Sequence, residues 1–568
     1  MTTPAQKIDP PRVFAAWLAA LFLVVLGAKL WIVQLYGSPL PLWDQWYEAV
    51  FFFRPWLEGT LTWRDFFAPS NEHRIFFTHL LDYVGIAVNG RWEPLLQLTV
   101  NCVLHAGFAG ALATALWCAL GRRSGWLVCS LLAPFYALPY AAENTVWAIN
   151  SQQYFMSFAA LATIAGLGFG PPGGARWWLG LAAAFAGLVT MASGFLAPLA
   201  VGGLLLLRAL KHRRLEKGAV ITLALCGVAV ALGLSLKVSM PGDAPERAHS
   251  AGEFLAALIR NLAWPFIGNP RVMCLVTLSP LAVLLGFYCR KNFAESRAAE
   301  FLLALALWSG LQSAAIAFGR ANYGDGFPAS RYMDVLNILV IAGIFAVLLL
   351  TRGWSPAGAG KVIAPLLPFL YAAIMVFCLV QLSQLIVDQL LVPTRRINLM
   401  AEERVATFMA TGDEKAFLTA PTVPPDARVV LGILENQKLR PILPGICQPP
   451  DQRPPPYRLR VPAEFLWQNA PWILAGGLTL FAGLCGFGLA RGALGLPRES
   501  LGGIIVLLAL LTALGFVWSR SAITRRTVEY DLQQQLAGYF QAQNNPQRAA
   551  IHAAKAAALK AGGARKSP

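Results

Sequence analysis

Residues 13–36, VFAAWLAALFLVVLGAKLWIVQLY, form an apolar run long enough to cross a membrane as one helix. About 20 mostly apolar residues in a helix span the hydrocarbon core of a bilayer. No small-residue cleavage site closes the run, so we interpret it as a retained first transmembrane helix rather than a signal peptide. Similar runs predict further spans at about 95–119, 125–141, 154–170, 177–192, 195–210, 218–239, 271–289, 299–318, 333–351, 362–391, 471–491 and 501–518.

The composition excludes a soluble globular enzyme. Hydrophobic residues make up 57% of the 568 residues and charged residues 13%, against about 45–50% and about 25% in soluble domains. The excess apolar surface needs lipid as its solvent, because a single soluble core does not grow this large. We therefore expect an all-α integral membrane protein with about 11–13 transmembrane helices, a large first periplasmic loop and a small extramembrane module near the C-terminus.

The net charge of +17 is explained by topology rather than by nucleic acid. Basic residues gather in short loops such as Lys211–Arg214 and Arg290–Lys291, as the positive-inside rule describes. With the N-terminus inside, the loops at Arg122–Arg123, 211–217, 290–291 and Arg352 all fall inside. The longer, aromatic and acidic loops at 37–93, 142–153, 240–270 and 319–332 then fall outside. We expect membrane lipids, and no nucleic acid, as partners.

The chain divides into four predicted regions. Residues 1–391 form the main transmembrane domain, and Pro-rich residues 392–468 form a small periplasmic module in which 429–432 could be a short strand. Residues 469–519 hold two further transmembrane helices, and residues 520–568 form a basic, flexible tail. Thirteen spans would place this basic tail outside, against the positive-inside rule, unless the short pair at 177–210 is a re-entrant pair.

The first outer loop carries the most suggestive residues. Asp44 and Glu48 are spaced i, i+4, so a helix beginning near Asp44 would place both carboxylates on one face. Two like charges there repel, and the arrangement needs a cation, a metal or a substrate. Further along, Glu72, His73 and Arg74 place a carboxylate, an imidazole and a guanidinium side by side. An ion-paired loop without function is the alternative interpretation of these three residues.

Two later outer loops offer groups suited to a sugar phosphate. The second loop carries an acid and amides that suit sugar hydroxyls, namely Glu143, Asn144, Asn150 and Gln152. Any capped loop can offer such groups too. The 319–332 loop adds Tyr323 and Tyr332 and two arginines, Arg320 and Arg331. Guanidinium groups bind phosphate through a planar fork, but arginines at a membrane surface also reach lipid phosphates without further function. Lys237 and Arg260 could add positive charge from the 240–270 loop.

Together these residues resemble the GT-C superfamily of membrane glycosyltransferases, over residues from about 10 to 470. The resemblance rests on the many spans, on the large first outer loop with an acidic residue soon after the first span, and on the C-terminal module. Asp44 matches the position of the family's acidic residue, and Arg320 and Arg331 match its carrier-phosphate ligands less specifically. The chain is also similar to bacterial membrane proteins of unassigned function with a WDQW-type first loop, here residues 43–46, and an SRY-type later loop, here residues 330–332. It lacks adjacent acids in the first loop, where the family often has them.

The resemblance implies transfer of a sugar from a polyprenyl-phosphate carrier to a glycan or lipid acceptor, at the periplasmic face of a bacterial inner membrane. Asp44 would be the general base, with Glu48 as a second catalytic carboxylate. Arg320 and Arg331 would hold the carrier phosphate, and Glu72 and His73 would orient donor or acceptor. A divalent cation is compatible with this many acids, but no residues form a convincing ligand set, and the six histidines form no metal-ligand cluster.

Two other functions remain open at this point. An O-antigen-type polysaccharide polymerase or ligase would depend on loop arginines and tolerate the loss of Asp44. A lipid-linked sugar flippase or transporter would show charged residues within its spans or paired broken helices. The span interiors carry almost no charge, which counts against ion-coupled transport. A membrane scaffold without catalytic function is the remaining alternative.

Overall fold

The structure is a computed structural model of the chain. It describes residues 10–122, 124–238, 240–266, 268–290, 296–323, 328–352, 364–419, 426–452, 458–490, 515, 525–542 and 545–564.

The described chain is almost entirely helical. Its helices of eight or more residues, numbered in chain order, are α1 Pro11–Tyr36, α2 Phe76–Asn89, α3 Pro94–Ala119, α4 Gly125–Ala137, α5 Ser151–Leu167, α6 Ala175–Gly187, α7 Leu196–His212, α8 Lys217–Ser235, α9 Ala251–Ala263, α10 Pro270–Tyr288, α11 Ser296–Gly319, α12 Met333–Arg352, α13 Leu367–Ile386, α14 Val392–Thr411, α15 Ala427–Glu435, α16 Arg460–Gln468, α17 Ala470–Ala490 and α18 Pro546–Ala564. Residues 525–542 are also helical.

Short helical turns occupy many of the connections. They are Trp43–Trp46, Ala49–Phe53, Arg54–Leu57, Asp65–Phe67, Pro139–Ala141, Glu143–Val146, Ala148–Asn150, Pro241–Glu246, Ser330–Tyr332, Ala364–Leu366, Val387–Leu391, Glu414–Thr419, Arg440–Ile442 and Gly445–Cys447. The two described strands, β1 Pro69–Ser70 and β2 His73–Arg74, form an antiparallel pair within the first loop.

Within the described residues, seven helices are long and apolar enough to cross a membrane. They are α1, α3, α8, α10, α11, α12 with its leading turn, and the continuous helix from α13 through α14. The pair α16 and α17, bent by 60°, would make an eighth if it forms one span. The prediction of an all-α, multi-pass membrane protein is confirmed at this level. The predicted span at 501–518 lies, except for residue 515, outside the described residues.

Four predicted spans form shorter helices than a full crossing needs. Helices α5 and α7 have 17 residues each, and α4 and α6 have 13 each, which correspond to about 25 Å and 20 Å at 1.5 Å per residue. Glycines bring α5 and α6 very close, because a Cβ on Gly166 would lie 2.5 Å from the Cα of Gly180. The turn between α6 and α7 contacts the first loop: Val189 O accepts from Phe76 N at 3.0 Å. The short pair thus reaches the level of the first loop.

The first loop and the C-terminal module share one apolar cluster. Trp46, Phe53 and Trp92 from the first loop pack with Val430 and Leu434 from α15. The short strand considered for residues 429–432 is wrong, because these residues belong to the helix α15. Asp426 caps that helix by accepting from the backbone N of Arg428 at 3.0 Å, and the apolar residues recur at helical spacing.

The described parts of the basic tail, residues 525–542 and 545–564, pack against α14 instead of extending as the flexible segment expected from its sequence. Arg548 Nη1 lies 3.3 Å from Glu403 Oε1, and Arg395 Nε lies 3.3 Å from Glu529 Oε1 in the helix 525–542. Arg395 Nη1 also donates to Gly37 O at 3.0 Å. The tail therefore lies at the end of the bundle from which the first loop emerges, where acids of α14 offset part of its charge.

Close helix packing holds α17 against α1. A Cβ on Gly27 would lie 2.3 Å from the backbone N of Leu474, and a Cβ on Gly477 would lie 2.7 Å from the backbone N of Val24. Small residues at such positions let helix backbones approach closely, as is common between transmembrane helices. The C-terminal helix α17 is thereby part of the same bundle as the first span.

Candidate functional site

The second and fourth outer loops are joined by one ion pair. Arg331 Nη1 donates to Glu143 Oε1 at 2.9 Å, while Glu143 Oε2 accepts from Arg331 N and from Ser330 Oγ, both at 2.9 Å. The two side chains are only 15% and 6% exposed. The turn Ser330–Tyr332 positions this arginine at the start of α12. Charge-assisted bonds of this kind are the strong ones, so the pair holds the two loops in one geometry.

Aromatic rings surround the guanidinium of Arg331. Its central carbon lies 5.9 Å from the ring of Trp147, 5.2 Å from that of Tyr323 and 5.0 Å from that of Tyr332. Trp147 in turn reaches the first loop, because its Nε1 donates to Leu42 O at 3.1 Å. Cation–π contacts favour a charge held at this place. Three loops thus meet around one cation, and we call this end of the bundle the site end.

Asp44 lies beside this cation on the turn Trp43–Trp46. Its Oδ2 accepts from Asn71 Nδ2 at 2.7 Å, and its Oδ1 is buried with no hydrogen-bond partner among the described residues. Burial raises the pKa of Asp44 above its usual value, and the Asn71 hydrogen bond and the charge of Arg331 offset part of that rise. A buried carboxylate oxygen with a free lone pair is chemically suited to accept a proton.

Glu48, the second predicted catalytic carboxylate, faces a different environment. Its Oε2 lies 3.2 Å from His79 Nε2, and its side chain is 6% exposed. Asp82 lies close by and accepts from Gln97 Nε2, and burial, together with the charge of Glu48, raises the pKa of Asp82 to about 8. The partner of Glu48 is thus the imidazole of His79, which balances the carboxylate when it is protonated. Glu48 is therefore part of a buried network that supports the first loop.

A second ion-paired group lies next to Asn71. Arg320 Nη2 donates to Glu72 Oε1 at 2.6 Å, and Arg320 Nε lies 3.3 Å from Glu246 Oε2. His73 Nδ1 accepts from the backbone N of Ala192 at 3.3 Å, which ties the first loop to the turn between α6 and α7. The structure thus brings together Glu72, His73 and Arg320, three residues that the sequence singled out separately.

Glu72, His73 and Arg320 line a cavity of about 360 Å³. Lys237 and Arg247 add positive charge to its lining, and the rest of the lining is largely apolar, with Met156, Phe195, Leu196, Leu311, Ala315 and Ile316. Tyr332 lines the same cavity and also contacts Arg331. The site end therefore combines charged groups with an apolar interior, as an amphiphilic ligand requires.

Other predicted residues hold backbone in place. Arg74 Nη1 donates to Phe67 O at 2.8 Å, Asn150 Nδ2 to Glu143 O at 3.2 Å, and Arg260 Nη2 to Ala321 O at 3.0 Å. Asn144 Nδ2 donates to Arg331 O at 3.0 Å and to Asp334 Oδ2 at 2.9 Å. Gln152 Oε1 is buried without a partner among the described residues, and residues 324–327 of the fourth loop lie outside them.

Sequence reasoning missed a buried polar network beneath the site. His105 Nδ1 lies 3.6 Å from Asp334 Oδ2, and Lys29 Nζ donates to Leu138 O at 3.0 Å. Tyr154 links this network to the second loop by donating to Asn144 O at 3.1 Å. The expectation that span interiors carry almost no charge therefore fails here. Each residue stands alone in an apolar run, so only the packing of α1, α3 and α12 brings them together.

Neither a metal site nor a known relative adds to this picture. Across the part of the chain that the structure describes, no group of three or more His, Cys, Asp or Glu residues is placed to hold a metal ion. No protein-family model, curated protein or solved structure matches the chain. Its class is defined by fold and site alone: a multi-pass α-helical membrane protein with a charged, partly apolar site where its loops meet.

Proposed function

We propose that this chain is a membrane glycosyltransferase that moves a sugar from a polyprenyl-phosphate carrier to a glycan or lipid acceptor of the cell envelope. The observation that carries the proposal is the buried, unpartnered Oδ1 of Asp44 beside Arg331. Asp44 is joined through Asn71, the neighbour of Glu72, and Arg331 through Tyr332 to a cavity with both charged and apolar lining. The proposal includes a bacterial inner membrane, about 11–13 crossings and a site that faces the periplasm.

In the proposed sugar transfer, Asp44 and the two arginines each have a defined role. The acceptor hydroxyl attacks the anomeric carbon, and its proton passes to Asp44 Oδ1. The bond between the anomeric carbon and the phosphate oxygen breaks, and the carrier phosphate leaves with the bonding pair. Arg331 and Arg320 then stabilise the negative charge that develops on that phosphate. Inversion at the anomeric carbon is expected from the resemblance to GT-C enzymes.

The carboxylates that hold the two arginines also fit this role. Glu143 orients Arg331, and Glu72 orients Arg320, before any ligand is bound. A guanidinium has five donors in a planar fork, and Arg331 uses Nη1 for Glu143, so its other donors can receive phosphate. Arg320 contacts Glu72, Glu246 and Gly319 O through its three nitrogens, so phosphate would share or replace one of these contacts. The apolar interior of the cavity would hold the first isoprene units of the carrier.

Transfer of labelled sugar from a panel of polyprenyl-phosphate sugars tests the proposal. We expect transfer by the parent protein and a loss of about 10²–10⁴-fold in Asp44→Asn, the range for a general base. Glu58→Gln is the matched control, because Glu58 is an acid of the same loop whose ion-pair partners among the described residues are Arg54 and Lys438. Transfer that persists in Asp44→Asn would move the base elsewhere. A parent protein that transfers from no donor, with any acceptor, would contradict the proposal.

The pH profile gives a second readout. Because burial raises the pKa of Asp44, the carboxylate gains its proton at a higher pH than an ordinary aspartate. The rate should therefore fall on the acid side at a pH above the usual range of aspartate titration, near 3.9. An acid limb that persists unchanged in the residual activity of Asp44→Asn would show that another group is responsible.

A lipid-linked sugar flippase or transporter is the second candidate, and one observation favours it. Lys29, His105 and Asp334 are buried inside the helix bundle, and ionisable residues within spans often mark a transport or proton path. Transbilayer movement of a labelled lipid-linked sugar, measured in vesicles with the parent and with Asp334→Asn, separates the two. Movement that depends on Asp334 but not on Asp44 would favour transport.

A further inference from the structure

A groove lies at the end of the bundle opposite the site end. It is formed by the last turns of α3, the second half of α5 and the first turns of α11, and its volume is about 510 Å³. Helix α3 starts beside the first loop and α11 finishes at Arg320, so these turns are the ones farthest from the site along each helix. Small and aromatic side chains line the groove, including Ala111, Ala115, Phe158, Ala162 and Ala165.

Two arginines stand at the polar end of this groove. Arg176 lies in the first turn of α6 and Arg297 in the first turn of α11, and both line the groove and are exposed. Neither makes an ion pair or a side-chain hydrogen bond with the described residues. The neighbouring Arg208 differs, because its Nη2 lies 2.8 Å from Glu300 Oε2 and its Nη1 donates to Gly168 O. Two guanidiniums without an acidic partner in the described part of the chain therefore stand at the groove.

A larger, more polar pocket continues from the same place. Its volume is about 790 Å³, and it shares Phe169 and Arg297 with the groove. His212 and Arg214 line this pocket as well. An apolar groove, a pair of unpaired guanidiniums and an adjoining polar pocket match the three parts of a phospholipid: acyl chain, phosphate and remaining head group.

We propose that this groove binds an anionic phospholipid of the adjacent leaflet. One acyl chain fills the apolar groove, and the phosphate lies between Arg176 and Arg297, where planar guanidiniums bind two oxygens at once. Charge complementarity selects an anionic lipid over a zwitterionic one, because the second pocket adds further cations. Among the described residues that line the groove and the pocket, the acids are Glu216 and Glu300, and Glu300 is paired with Arg208. This proposal is independent of the sugar-transfer reaction at the other end.

Lipid retention by the purified full-length protein tests this proposal. The protein is exchanged into mixed micelles that contain equal amounts of phosphatidylglycerol and phosphatidylcholine, and bound lipids are counted by native mass spectrometry. A basic residue near an anionic lipid surface contributes about fivefold in affinity, so Arg176→Gln with Arg297→Gln should reduce phosphatidylglycerol retention by about 25-fold. The matched control is Arg213→Gln with Arg290→Gln, which removes two exposed charges of nearby loops that do not line the groove.

A second variant tests the groove itself. Ala162 is exposed on the groove wall, so Ala162→Trp fills the groove without disturbing the core. It should abolish phosphatidylglycerol retention although both arginines are intact. Glycerol phosphate, the head group alone, should not compete at the same concentration.

Four results would overturn the proposal. The first is equal retention in the double variant and its control. The second is unchanged retention in Ala162→Trp, and the third is equal retention of the two lipids by the parent protein. Full competition by glycerol phosphate would also overturn it, because the acyl chain would then contribute nothing.

Discussion

The ion pair between Glu143 and Arg331 is the contact on which the geometry of the site depends. Glu143→Gln keeps the volume of the side chain but replaces one carboxylate oxygen by an amide nitrogen. All three donors on Glu143, namely Arg331 Nη1, Arg331 N and Ser330 Oγ, lie at 2.9 Å. Whichever way the amide turns, its nitrogen faces at least one donor, so at least one bond is lost.

The size of the effect follows from the burial of the pair. A hydrogen bond to a charged group contributes about 1.5–3 kcal/mol, and removing one partner of a fully buried ion pair costs about 3–5 kcal/mol. Arg331 is 15% exposed and Glu143 6% exposed, so most of this cost applies. We expect Glu143→Gln to lower the free energy of unfolding by about 2–3 kcal/mol.

The assay is a double-mutant cycle with Arg331→Gln. Unfolding in mixed micelles titrated with sodium dodecyl sulfate, followed by circular dichroism, gives the free energy for the parent, both single variants and the double variant. We expect a coupling energy of about 2 kcal/mol, within the range for directly contacting residues. A coupling below about 0.5 kcal/mol would refute the reasoning, because two independent sites give that value.

Three further predictions concern the supports of the site. Asp82→Asn should flatten the pH dependence of the free energy of unfolding. The pKa of Asp82 is about 8 in the folded protein and near 3.9 in the unfolded chain, so the parent loses stability as the pH rises from about 4 to 8. Gly27→Ala should destabilise the α1–α17 contact by about 1–3 kcal/mol in the same micelle titration, because its Cβ would meet backbone at 2.3 Å. Glu403→Gln should release α18 and speed tryptic cleavage after Arg548 by up to about fivefold, since a partly exposed pair, here 21% for each side chain, contributes at most about 1 kcal/mol.

Each of these predictions has its own control or contradicting result. For Asp82→Asn, stability curves that run parallel to the parent between pH 4 and 8 would show that Asp82 is already ionised in the folded protein. For Gly27→Ala, the matched control is Gly476→Ala, because a Cβ there meets nothing within 4 Å; equal losses in both would contradict close helix packing. For Glu403→Gln, a cleavage rate equal to that of the parent would show that the tail is held by other contacts.

Part of the candidate site could be predicted from single residues. Asp44, Arg320 and Arg331 stand out because charged residues are rare in this chain and these follow or precede long apolar runs. Their partners could not be predicted, because Glu143 is 188 residues away from Arg331 and Glu72 is 248 residues away from Arg320. The separate environments of Asp44 and Glu48 also depend on His79 and Asn71, which local helical spacing does not reveal.

The sequence by itself determined that this protein is an α-helical membrane protein, because an apolar run of about 20 residues has no stable solvent other than lipid and must satisfy its backbone as a helix. It also determined which polar residues lie in the loops. Only the tertiary structure decided that residues 429–432 are helical, that the basic tail docks on α14, and that Lys29, His105 and Asp334 meet inside the bundle. Those outcomes depend on contacts between segments far apart in the chain, where burial and pairing outweigh local preference.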